Sequence, residues 1–214
     1  MSNELIAKAM SGDPESQFKL GKAYAQGTDG FEKNPAEAVK WLDKISDEYK
    51  GPLEVMIGIG LENQDPDLVL KSFRKLVEVH NAISYRVTLG AILCGDPNNR
   101  HINPEVGGIP ELAEPPYYNP KEGFRLIEEG VRLAESAEKN PLGCRHYEEI
   151  HAAYHYHTGK RKEYFQNGHC SLTEALSKKA EYVEKVLAAL KARKGTSHIP
   201  EEKIPVYIAL WEKM

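Results

Sequence analysis

Apolar residues recur three and four positions apart in run after run of this chain, as in Ala38, Trp41, Leu42 and Ile45, or Phe124, Leu126, Ile127 and Val131. That spacing lays them along one face of an α-helix. No stretch alternates with period two over a strand's length. Val55 to Gly60 and Ser84 to Leu89 come nearest, but both are short and sit inside longer helical patterns. The pattern therefore predicts an all-α protein. It places a short leading helix at about 3–10, then helix pairs at about 13–46, 51–79, 81–138 and 141–193, with a capping segment at 201–214. The whole chain, 1–214, reads as a single array of these pairs.

The helix starts carry their own chemistry. Asp or Asn precedes Pro at Asp13, Asn34, Asp65, Asp96, Asn103, Asn119 and Asn140. The Asx side chain can accept from a free N–H of the first turn, and Pro at the first helical position brings a preset φ without losing a needed donor. Asp96 and Asn103 lie among glycines and prolines and read as turns; the other five read as helix starts. At the other end of the first such helix, Gly27 is placed to stop it in the left-handed conformation.

One segment returns. Asn34-Pro35-Ala36-Glu37-Ala38-Val39-Lys40-Trp41-Leu42 reappears 85 residues later as Asn119-Pro120-Lys121-Glu122-Gly123-Phe124-Arg125-Leu126-Ile127. Internal repeats of this size are the mark of stacked modules that together build a surface. The two copies are not equally spaced from the helix before them. Asn34 stands 7 positions past Gly27, whereas Asn119 stands 24 past Gly95, which locates an insertion of 17 residues in the long loop 95–119.

The first pair carries Leu20-Gly21, Tyr24 and Gly27, then Ala38 and Trp41 in its second helix. This resembles the Sel1-like repeat, a relative of the tetratricopeptide repeat with the pattern Leu-Gly-x-x-Tyr-x-x-Gly followed by an Ala-x-x-Trp/Tyr helix. Leu89-Gly90 with Leu93 and Gly95, and Ala152-Ala153 with Tyr156 and Gly159, repeat it in part; Ile59-Gly60 lacks the Tyr. The resemblance implies a right-handed α/α superhelix, or solenoid, of about four repeats, working as an adaptor or scaffold. In such a repeat the glycine after Leu20 lets the two helices approach closely, with Trp41 filling the adjoining space.

Composition narrows the partners. The net charge of −4 leaves no basic footprint for nucleic acid. No apolar run is long enough to cross a membrane, and the first residues lack the pattern of a secretion signal. Cys94, Cys144 and Cys170 are odd in number and widely spaced, which suits reduced thiols in the cytoplasm.

Candidate chemistry gathers in three places. The segment from His146 to His157 puts His151 and His155 four apart on a helix, with Glu148 three before His151. Side chains so spaced share a face and could reach one metal ion; alternatively, with Tyr147 and Tyr154, they line a surface that contacts a partner. His169-Cys170 suggests a thiol–imidazole pair, but a turn with a helix cap explains it more simply. Loop 95–119 holds Arg100 and His101 and matches no calcium or phosphate motif. The reading that follows is a non-enzymatic protein- or peptide-binding adaptor without a cofactor. Its partner would sit in the groove of the first helices, touched by Tyr24, Tyr85, Arg100, His101, Tyr147, His151, Tyr154 and His155. Two alternatives stand beside it: a metal-binding protein or metal-dependent hydrolase centred on His151 and His155, and an inhibitor- or immunity-type protein acting through loop 95–119.

Overall fold

The computed structural model describes residues 2–96, 99–137, 154–155, 157–160, 166, 172–197 and 199–214. Among these residues the protein is all-helical, with no strand. The α-helices are α1 (Ser2–Met10), α2 (Pro14–Gln26), α3 (Pro35–Asp43), α4 (Lys50–Glu62), α5 (Pro66–Glu78), α6 (Ile83–Leu93), α7 (Pro120–Ala137), α8 (Leu172–Ala192) and α9 (Ile204–Trp211). Single 3-10 turns fall at Pro104–Val106, Pro110–Ala113 and Glu201–Lys203. The sequence helix at 141–158 lies largely outside the described residues, as does the helix start at Asn140.

The expected capping chemistry sets the boundaries. Asp13, Asn34 and Asp65 each stand in extended conformation ahead of a proline, and their side chains accept from Ser16, Glu37 and Leu68 N–H. Asn119 accepts from Glu122 N–H at 3.2 Å, and its Nδ2 donates to the Glu122 carboxylate at 3.2 Å. Asn103, read from sequence as a turn, caps the 3-10 turn that follows it. Helix α3 stops short of Ser46 because the Ser46 hydroxyl donates to Asp43 O at 2.8 Å, taking a carbonyl the next helical turn would use.

The chain divides into two compact units, residues 1–82 and 83–214. In the first, α2 packs on α3 and α4 on α5, with α1 laid against α2. Gln17 Nε2 ties α1 to α2 by donating to Ala9 O at 3.0 Å. In the second, α6 packs on α7, and α9 packs on α8 and α7.

Each helix pair is built on a glycine. A Cβ on Gly21 would lie 2.7 Å from Leu42 Cγ, one on Gly60 2.7 Å from Val69 Cγ2, and one on Gly90 2.6 Å from both Ile127 Cγ1 and Gly123 O. The two nonapeptide copies meet their glycines in the same register: the fifth residue (Ala38, Gly123) presents its carbonyl and the ninth (Leu42, Ile127) its side chain. The side chain facing Gly21 is Leu42; Trp41, expected there, turns instead toward Ala9 and Leu20. Packing this close leaves no room for a side chain on the first helix.

The register survives the insertion. Asn34 N–H donates to Tyr24 O at 2.8 Å, and Asn119 N–H donates to Leu93 O at 2.9 Å. Tyr24 and Leu93 each lie three positions after the pair's glycine. The extra residues thus leave and rejoin a helix pair whose closing hydrogen bond is unchanged.

Candidate functional site

The insertion folds into a compact body on the second unit. Ile102, Ile109, Leu112 and Tyr118 are buried. Asn99 Oδ1 accepts from the His101 backbone N–H at 3.0 Å and from its ring Nδ1 at 2.8 Å, so the neutral ring carries its proton on Nδ1. Ile109 N–H donates to His101 O at 2.8 Å and Gly108 N–H to Asn103 O at 2.9 Å. A Cβ on Gly108 would lie 2.6 Å from Asn103 N, so only glycine fits there.

Helix α9 fastens this body. Trp211 Nε1–H donates to the Tyr118 hydroxyl at 2.5 Å, the Tyr207 hydroxyl donates to Ala113 O at 3.0 Å, and Lys203 pairs with Glu114. Tyr118, Phe124, Leu190, Tyr207 and Trp211 form one buried cluster. Burial pushes the Tyr118 hydroxyl pKa up, and that of Tyr207 up to about 12. Both phenols therefore remain protonated.

The residues singled out from sequence scatter. Tyr24 stacks on Phe31 with ring centres 4.9 Å apart, packed against the cluster of Ala9, Leu20 and Trp41. Tyr85 is half-buried on α6, and Arg100 is exposed. Three of the proposed contact residues need correcting. Tyr154 and His155 are wholly buried, with 0% exposure, and His101 is buried within the insertion. They fill the interior of the second unit and offer no surface to a partner. Tyr147, His151 and Glu148 lie outside the described residues, as do His169 and Cys170.

His157, passed over in the contact reading, is buried beside the insertion's first turn, with Nε2 3.7 Å from Asp96 Oδ2. Burial holds its pKa below the ordinary histidine range, with Asp96 pulling the other way. Burial and the Asp96 charge together push the Cys94 thiol well up, so this cysteine stays a thiol and is no nucleophile. Among the described residues no group of three His, Cys, Asp or Glu could hold a metal ion, and no helix is long and apolar enough to cross a membrane.

Open surface concavities lie on the first unit. One, of about 410 Å³, is lined by Pro14, Glu15 and Phe18 of α2, by Ile45 and Tyr49 after α3, and by the start of α4 at Lys50 to Pro52. Tyr49 is 48% exposed. Gly51 keeps the rim low: a Cβ there would touch the Phe18 ring at 3.5 Å. A larger hollow of about 660 Å³ runs along α1 and α2 past Lys8, Lys19 and Phe31. Of its three lysines, Lys8 pairs with Glu4 at 2.9 Å and Lys19 with Glu15 at 2.6 Å, while Lys22 Nζ lies over the Phe18 ring, 5.7 Å from its centre.

The first concavity lies between the first helices of two successive pairs, the location expected of a binding groove. Its aromatic walls, Phe18 and Tyr49, were missed from sequence. The available signal was Tyr49-Lys50-Gly51-Pro52, an aromatic residue where the helical period breaks. What fold and surface together define is an all-α protein of glycine-seated helix pairs. No family model, curated protein or solved structure matches this chain.

Proposed function

We propose that this protein is a non-enzymatic, cytoplasmic adaptor of the Sel1-like kind, its helix pairs following one another in a right-handed superhelix. It holds a protein or peptide segment in the groove between the first helices of its pairs. The observation that carries this reading is the cleft between α2 and α4, lined by Phe18 and Tyr49 over a floor that includes buried Pro52, with exposed Lys50 and the Glu15–Lys19 pair at its rim. Aromatic area of this kind suits an apolar side chain of a bound segment, and the Lys50 ammonium beside it suits an acidic neighbour in that segment.

Selection of a random dodecapeptide display library on the immobilised full chain tests this. Selected peptides are expected to compete for one site and to bind Tyr49→Glu at least tenfold more weakly, with the helical circular dichroism unchanged. Peptides that bind Tyr49→Glu as tightly as the unaltered protein would place the site elsewhere.

A further inference from the structure

The insertion has a hydrogen-bonded base and an exposed tip. Its base is closed by the Asn119–Leu93 hydrogen bond and pinned to α9 through Tyr118, Ala113 and Glu114. Its tip is tied internally, with Asn103 Oδ1 accepting from Glu105 N–H at 2.9 Å, Val106 N–H donating to Asn103 O at 3.2 Å and Gly107 N–H to Pro104 O at 3.2 Å. Pro104, Glu105, Val106 and Gly107 are nonetheless all exposed, Val106 at 65%. No atom lies within 4 Å of where a Cβ on Gly107 would stand. A compact loop with joined ends, packed by its own side chains, is a common carrier of function.

The charges divide in the same way. Glu114, at the base, is taken up by Lys203. Glu105 at the tip and Glu111 on the next turn are exposed and, among the described residues, make no ion pair. Arg100 lies at the neck, so the exposed charges of the loop sum to one negative.

We propose that this tip is a preformed docking knob for another protein. Its receiving surface is a small apolar cavity that takes the Val106 side chain, with a lysine or arginine rim facing Glu105 and Glu111. Because the tip is ordered before contact, little ordering entropy is lost on binding. The carboxylates add attraction that salt screens. The knob is on the second unit and the groove proposed above is on the first, so the two readings can fail separately.

The test replaces Val106 by p-benzoylphenylalanine in the full chain and irradiates it in the native cell, with the same replacement at exposed Val79 as control. A protein joined at position 106 and not at 79 is then produced pure and titrated against the unaltered chain, Val106→Asp, Glu105→Lys/Glu111→Lys and Tyr49→Glu. The expected result is at least tenfold weaker binding for Val106→Asp, with unfolding midpoint retained. The charge-reversed pair should also bind more weakly and lose the weakening by salt shown by the unaltered chain, while Tyr49→Glu binds normally. No specific adduct at 106, or unchanged binding by Val106→Asp, overturns the proposal. Loss through Tyr49→Glu alone would assign the partner to the groove.

Discussion

At the scale of single residues, the glycines divide by what surrounds them. Gly90 faces backbone, with Gly123 O at 2.6 Å from a would-be Cβ, so Gly90→Ala must force α6 and α7 apart. Such overpacking costs about 2–3 kcal/mol. Gly21 faces the Leu42 side chain, which can partly turn away, and Gly21→Ala should cost about 1 kcal/mol. Gly58, also helical, has nothing within 4 Å; Gly58→Ala should stabilise by about 0.5–1 kcal/mol through helix propensity alone. Urea unfolding of the three variants checks the order. A Gly58→Ala as damaging as Gly90→Ala would refute close approach as the reason for these glycines.

At the scale of elements, the notable dependence is of the insertion on the last helix. Trp211 and Tyr118 are joined across 93 positions of sequence. Trp211→Phe keeps an aromatic ring in the cluster but removes the only donor the indole has, leaving the buried Tyr118 oxygen without that partner. The loss should be about 1–3 kcal/mol. It should also be local: amide exchange in 99–119 speeds up, while α2 and α3 keep their protection. Uniform loss across the chain would mean that α9 supports the whole fold and not the insertion in particular. The helices themselves were legible residue by residue, since caps such as Asn34 and Asn119 act within one turn. Legibility ended where Trp211 chooses a partner, because no periodicity within α9 points to residue 118.

At the scale of the molecule, the histidines separate the two units. His80 is the one histidine in residues 1–82; the other seven fall in 83–214. Burial, and to a lesser degree Arg100, lower the His101 pKa from the ordinary 6.5 to about 4, and burial lowers that of His157. A lowered histidine pKa means the unfolded chain takes up a proton that the folded chain refuses. Stability from these rings is therefore full above about pH 6.5 and is lost as pH falls toward 4. Each tenfold difference in proton affinity is worth about 1.4 kcal/mol. The lowered carboxylates of Glu4, Asp13 and Asp43 in the first unit begin to lose their contribution only below about pH 4.5, where the unfolded groups start to protonate. Hydrogen exchange at pH 7 and pH 5 should show protection falling in 83–214 while 1–82 holds. Equal loss in both units would contradict this assignment.

Among the described residues, helix placement, capping and the close approach of two helices at Gly21 follow from interactions a few residues long or from a spacing written twice, so the chain alone was enough to read them; that Leu42 and not Trp41 meets Gly21 was decided by the tertiary structure. The same spacing exposed the insertion as length that a helix pair does not need. Which aromatic residues face solvent was a different matter. Tyr154 and His155 read as surface residues from their helical spacing and are buried, whereas Phe18 and Tyr49, from separate segments, share an open cleft. Burial depends on what distant segments bring to each face. Only the tertiary structure decides that, and with it where this protein can bind anything.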